Sequence, residues 1–212
     1  MRPRMSSIKN AILLTASFLL IATACKKEGN IFEGYGDVGN PQLKGSFSYN
    51  SATSLYTLKG AGSNMWLQSD EFFMAWKKQT GDFSLSARIA FEGEGVNAHR
   101  KLGLIIRESL TGESVYADVA IHGDGLTSLQ YRDATGGETG EVVAFHKGAD
   151  HITLERIGKK IIMKTGIGEY ARNATGEIEL DLPPTCYVGL FVCSHEADVL
   201  ETAYFSDVRY NQ

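Results

Sequence analysis

A chain of 212 residues with 43% apolar and 22% charged side chains, 23 Gly and only 4 Pro has the make-up of an ordinary globular domain, which excludes a disordered or collagen-like chain. Its net charge is −4, and because the first 24 residues hold Arg2, Arg4 and Lys9 without an acid, the remainder carries −7. No basic footprint for nucleic acid exists, and a polyanion is disfavoured as a partner.

Arg2, Arg4 and Lys9 precede a fourteen-residue apolar run, Ala11 to Ala24, and charge resumes at Lys26-Lys27-Glu28. A run shorter than the roughly 20 apolar residues of a membrane-spanning helix, with bases before it, reads as a secretory signal over residues 1–24. Ala24-Cys25 resembles the lipobox of bacterial lipoproteins, with Ala22 where Leu is usual, and Ala22-Thr23-Ala24 also fits ordinary signal peptidase. The lipoprotein reading is preferred, because Cys25 is the only cysteine in the first 185 residues and closes the apolar run. Acyl chains on Cys25 would hold the protein to a membrane, each buried methylene adding about 0.8 kcal/mol. Residues 25–42 then form the lipidated cysteine and a Gly-rich tether, and the domain is expected over 43–212.

No stretch of that domain keeps a helical period; period-two alternation recurs instead. Phe83, Leu85, Ala87, Ile89 and Phe91 share one side of a run, and the pattern returns at Leu102-Leu104-Ile106, Val115-Ala117-Val119-Ile121 and Ile152-Leu154, with further runs at 160–165, 186–195 and 202–210. Clusters such as Gly60-Ala61-Gly62-Ser63-Asn64, Gly93-Glu94-Gly95 and Gly136-Gly137 punctuate them, which predicts an all-β fold, an antiparallel two-sheet sandwich. A three-residue loop at Gly123-Asp124-Gly125 sets Ala120 opposite Ser128, Asp118 opposite Gln130 and Tyr116 opposite Arg132, leaving Val119, Leu129 and Tyr131 for the core. Cys186 and Cys193 are seven positions apart, on opposite faces of a strand and roughly 23 Å from each other, so they cannot pair.

The phrases GAGSNMW, DEFFMAW, GDFSLSARI, RKLGLIIRESL, YADVAIHGDGLTSLQYRDATGG, ITLERIG and YVGLFVCSHEADVLETAYFSDVRY together resemble the concanavalin A-like lectin/glucanase superfamily over about residues 43–210. The nearest likeness is to a family of uncharacterised domains found in lipoproteins of Bacteroidota-type bacteria. The resemblance implies a jelly roll with a curved inner face. The acid-rich strand of the superfamily's glucanases, E-x-D-x-E, is missing: the nearest acids, Glu92 and Glu94, sit at a strand end beside Gly95.

The candidate ligand-binding residues are Arg107, Asp118, His122, Gln130, Arg132, His195 and Trp66. Guanidinium, carboxyl, imidazole and amide groups give directional hydrogen bonds to sugar hydroxyls, and an aromatic face stacks on the ring. The competing reading of the same residues is a solvated outer face on which Arg107 and Asp118 pair across strands. Arg100-Lys101, beside His99, is expected as a basic cluster on an exposed loop end. No catalytic residue is assigned, no C-x-x-C or H-E-x-x-H metal spacing occurs, and no cofactor is expected beyond a structural Ca²⁺ held by Asp70 and Asp207. The function expected is that of an outer-membrane lipoprotein with a non-catalytic carbohydrate-binding domain, its partners an oligosaccharide or polysaccharide, the lipid membrane and other envelope proteins. The alternatives are a keto-disaccharide hydrolase or lyase using a histidine base and an envelope scaffold.

Overall fold

The computed structural model describes residues 29–168 and 173–212, so the expected signal and Cys25 lie outside the described residues. The described strands are β1 (Gly34–Val38), β2 (Ser46–Asn50), β3 (Leu55–Gly62), β4 (Met65–Trp66), β5 (Ser69–Asp70), β6 (Phe72–Thr80), β7 (Phe83–Phe91), β8 (Lys101–Arg107), β9 (Tyr116–His122), β10 (Thr127–Arg132), β11 (Thr139–Val143), β12 (His151–Ile157), β13 (Lys160–Gly166), β14 (Asn173–Glu179), β15 (Thr185–Cys193) and β16 (Glu196–Asn211). Two seven-stranded sheets result. The first runs β1-β6-β15-β8-β9-β10-β11, the second β14-β13-β12-β7-β16-β3-β2, and β4 and β5 form a small separate hairpin. All pairings are antiparallel, as an all-β sandwich requires.

The alternation read along the chain becomes the core between the sheets. Leu104, Val119, Leu129 and Leu190 of the first sheet meet Leu58, Leu85, Leu154 and Phe205 of the second, all fully buried. Burying one such side chain contributes about 1.5–3 kcal/mol, and these positions recur every second residue because strand side chains alternate faces. The predicted hairpin register is the observed one: Ser128 faces Ala120, Gln130 faces Asp118 and Arg132 faces Tyr116. Cys186 lies in the core between the sheets and Cys193 on the opposite face of β15, both as free thiols.

Two expectations are corrected. Residues 34–38, placed in the tether, form β1 and pair with β6, while Phe32 is buried against the core, so the folded part starts before residue 43. Gly34, read as part of a flexible linker, serves close packing instead: a Cβ there would lie 2.8 Å from the Trp76 ring, which rests on this edge strand. The first sheet is also buried on both sides. Its distal face, turned away from the second sheet, carries a second apolar cluster of Phe72, Met74, Ile105, Tyr116, Ala120 and Phe191, joined by Val38 and by Met65 of the β4–β5 hairpin. Every residue of β8 and β9 is therefore buried, where alternation alone suggests half-buried strands.

Candidate functional site on the distal face of the first sheet

Four neighbouring strands bring the polar side chains of the distal face together, because residues directly opposite in an antiparallel ladder point the same way. Lys101 of β8 lies opposite His122 of β9; Asp118 of β9 lies between Ile105 of β8 and Gln130 of β10; Gln130 in turn faces Glu141 of β11. At the far end of the same strands, Tyr116 lies between Arg107 and Arg132. The face thus has a Tyr116 end and a His122 end, and their chemistry differs.

At the Tyr116 end every strong donor is used. Asp70, at the end of β5, accepts from Arg132 at 2.7 and 3.0 Å and from both Arg107 Nη atoms at 3.3 Å, with all three side chains fully shielded from solvent. Arg132 also donates to the carbonyls of Leu67, Gly112, Ser114 and Gly137, and Arg107 to those of Ser109 and Thr111. The Tyr116 hydroxyl donates to the Met65 carbonyl at 3.1 Å, and its ring lies 5.0 and 5.8 Å from the two guanidinium carbons. These contacts tie the β4–β5 hairpin and the 108–114 loop down onto the sheet. Arg107 and Arg132, expected as ligand-binding groups, are therefore structural: every nitrogen of both guanidiniums already donates to a carbonyl or carboxylate, and both side chains are fully shielded. Asp70 is likewise no calcium ligand, and Asp207, its expected partner, is an exposed residue of β16 in the other sheet. Among the described residues no three His, Cys, Asp or Glu side chains stand close enough to share a metal ion.

The His122 end is the reverse. Six buried side-chain nitrogen or oxygen atoms among the described residues have no hydrogen-bond partner, and five of them are here: both carboxyl oxygens of Asp118, His122 Nδ1, Ser128 Oγ and Gln130 Oε1. The one internal hydrogen bond joins Gln130 Nε2 to His122 Nε2 at 3.2 Å. Lys101 is buried beside them and donates to Asn64 Oδ1 at 3.0 Å. Each unsatisfied buried polar group costs about 1–3 kcal/mol, so five together on adjacent strands mark a place where stability has been given up.

Burial sets the electrostatics. It raises the Asp118 carboxyl well above the usual carboxylate range, against the pull of Lys101, of Arg107 and of the Gln130 backbone N–H, which stops short of hydrogen-bond geometry. The carboxyl keeps its proton to higher pH than a free one, and when protonated it donates as well as accepts. Burial, reinforced by Lys101, lowers His122 to about 3, so the imidazole is neutral at pH 7. The same two causes lower His195, burial lowers Lys101, and burial raises the Cys193 thiol to about 11.

His195 enters through a residue that the sequence reading left in the basic cluster. His99, exposed on the loop before β8, stands edge-on to His122 at 6.1 Å between ring centroids and lies 5.5 Å from His195. Asn97 holds this loop, accepting from the His99 N–H and donating to the Glu196 carboxylate. His195 itself has a left-handed backbone with φ of 61°, uncommon for a residue with a side chain. Trp66 is half-buried in the β4–β5 hairpin, and among the described residues no hydrogen bond or ring contact joins it to the polar cluster. The basic pair is no exposed loop end: Arg100 is buried in an ion pair with Glu201 at 2.6 Å, its guanidinium over the Phe91 ring, and Lys101 belongs to the site. One signal pointed to Lys101, since it is in phase with Gly103, Ile105 and Arg107 along the strand; nothing local pointed to His99.

No family model matches the chain, and no curated protein matches it in sequence. Among solved structures it is similar to a functionally unknown protein from Saccharomyces cerevisiae, at 15% identity over 78% of this chain and 91% of that one, with a TM-score of 0.60. A GH43 protein from Bacillus licheniformis gives 13% identity and a TM-score of 0.56, and this chain spans about a third (34%) of its length. A family 7 alginate lyase in complex with its product gives 7% identity and a TM-score of 0.51 over 78% of this chain and 82% of that one. At such identities the likeness is one of fold: the domain is a jelly-roll β-sandwich of two antiparallel sheets.

Proposed function

We propose that the His122 end of the distal face is a saccharide-binding site and that the domain serves a cell-envelope lipoprotein by recognising carbohydrate without transforming it. The observation that carries the reading is the cluster of five unpartnered polar atoms on Asp118, His122, Ser128 and Gln130. They include acceptors (Gln130 Oε1, the Asp118 oxygens), a hydroxyl that both gives and takes (Ser128 Oγ) and the His122 Nδ1–H, left as a donor because Nε2 accepts from the Gln130 amide, which is the set that neighbouring sugar hydroxyls satisfy. Solved structures of similar fold include a GH43 protein and an alginate lyase, which supports a carbohydrate role. The cluster is closed in this structure, so a sugar reaches it by displacing His99, which stands against His122, and Asn64, which caps Lys101.

Calorimetric titration of the folded domain with a panel of oligosaccharides tests this. Wild-type protein should bind at least one of them, and Gln130→Ala, which removes an amide the fold leaves half-used, should lower the affinity about tenfold to a hundredfold while circular dichroism stays unchanged. Absence of binding to every glycan, or equal binding by the variant, overturns the proposal. Arg132→Ala is no probe of binding, because it reports on the fold.

A second reading, a sugar-active hydrolase or lyase, has one observation in its favour: burial raises the Asp118 carboxyl well above the usual carboxylate range, the direction a general acid needs. His122, lowered to about 3, is a weak base for the role first considered for it. Turnover of a bound glycan that Asp118→Asn abolishes while binding persists would decide for the enzyme.

A further inference from the structure

Lys101 is 2% exposed, spends one of its three donors on Asn64, and forms no ion pair among the described residues. Asp118, on the neighbouring strand of the same face, pulls on its charge but forms no ion pair with it among the described residues, and other nearby acids are committed elsewhere. Asp70 serves Arg107 and Arg132, Glu71 accepts from the Ser63 N–H and hydroxyl, and Glu196 accepts from Asn97. Glu141 faces Gln130 from the edge strand β11 and is solvent-exposed. Counted with the Tyr116 end, the face holds three cations, Lys101, Arg107 and Arg132, against two buried carboxylates, Asp70 and Asp118, so one positive charge is left over even with Asp118 ionised. An ammonium withdrawn from water without a counter-ion is among the most costly arrangements in a folded protein.

We propose that this site takes an acidic saccharide, a uronic acid residue whose carboxylate pairs with Lys101 while its ring hydroxyls are held by Asp118, Ser128 and Gln130. The inference rests on the saccharide-binding reading and adds the substrate class to it. The ligand carboxylate supplies the contacting counter-ion that the fold omits, and Asp118, one strand away from β8, with Ser128 and Gln130, two strands away on the same face, lie where the rest of a pyranose ring extends. The negative net charge of the chain disfavours a long polyanion, but a short acidic oligosaccharide answers to the local field, which is positive here.

The discriminating experiment is calorimetric titration with oligogalacturonates and oligomers of mannuronate and guluronate, each beside its carboxyl-reduced neutral counterpart. At least one acidic oligomer should bind ten times or more as tightly as its neutral twin, and its affinity should fall with added salt. Lys101→Met, which replaces an unpaired buried cation with an apolar chain of similar length, should keep the fold, raise the Tm and erase the preference for the acid. Equal affinity of the acidic and reduced twins overturns the acidic-ligand inference and leaves the saccharide reading standing. No binding by either series, with neutral oligosaccharides also silent, overturns both.

Discussion

Asp118 sits in the middle of a central strand with neither oxygen hydrogen-bonded, and its titration and that of His122 have opposite consequences for stability. The Asp118 carboxyl is raised from its ordinary 3.8, so as pH rises past that value the unfolded chain releases a proton that the folded one keeps, and stability falls until the folded value is passed. His122 is lowered from 6.5 to about 3, so between these values the unfolded chain binds the extra proton and stability rises with pH. The two slopes oppose each other above about pH 4, over the part of the His122 range that the raised Asp118 value also covers. Asp118→Asn removes the falling one: urea denaturation should find the variant more stable than wild type at pH 7 by roughly 1–3 kcal/mol, with a steeper rise between pH 4 and 6.5. A variant less stable than wild type at pH 7 means that the carboxyl supports the fold, and its assignment to ligand binding falls.

One strand, β10, serves three purposes at successive positions. Leu129 points into the core between the sheets, Gln130 to the unsatisfied polar cluster, and Arg132, two residues on, ties the β4–β5 hairpin to the sheet. Leu129→Ala should therefore cost about 2–5 kcal/mol through the cavity it leaves and change saccharide affinity little. Arg132→Ala should cost about 3–5 kcal/mol, since it removes one of the two counter-ions of a fully buried carboxylate and strips partners from four carbonyls. Hydrogen exchange should show the loss first in the amides of residues 65–70 and 108–114, ahead of β12 and β13 in the other sheet. Arg132→Lys should not restore it, because an ammonium cannot reproduce the forked geometry of the guanidinium.

At the scale of the whole molecule, the sandwich presents one sheet with both faces covered, and the envelope reading adds an anchor at its N-terminal side. Cys25 lies outside the described residues, so that part of the proposal is tested in cells. Cys25→Ala should move the protein from the membrane fraction to the soluble envelope fraction or the medium, because the acyl chains alone would hold it; a variant that still sediments with membranes after a high-salt wash is anchored by something else.

Strand alternation made the sandwich, the split of β9 and β10 into two faces and the opposite placement of the two late cysteines legible in the sequence, because a period of two is a local property that survives in any sheet. The same alternation puts Lys101, Asp118, His122, Gln130 and Arg132 on one face. It does not say what covers that face, and this decides the chemistry. A polar residue opposite solvent, opposite a hairpin carbonyl or opposite nothing has the same neighbours in sequence. Asp70 comes from a two-residue strand 37 positions before Arg107 and 62 before Arg132, and only the closed fold turns those arginines from ligand groups into structural ties. His99 likewise reaches His122 and His195 through loop geometry. The sequence by itself determined which side chains share a face; the tertiary structure decided which of them were left without a partner, because satisfaction of a buried polar group depends on contacts that no local period encodes.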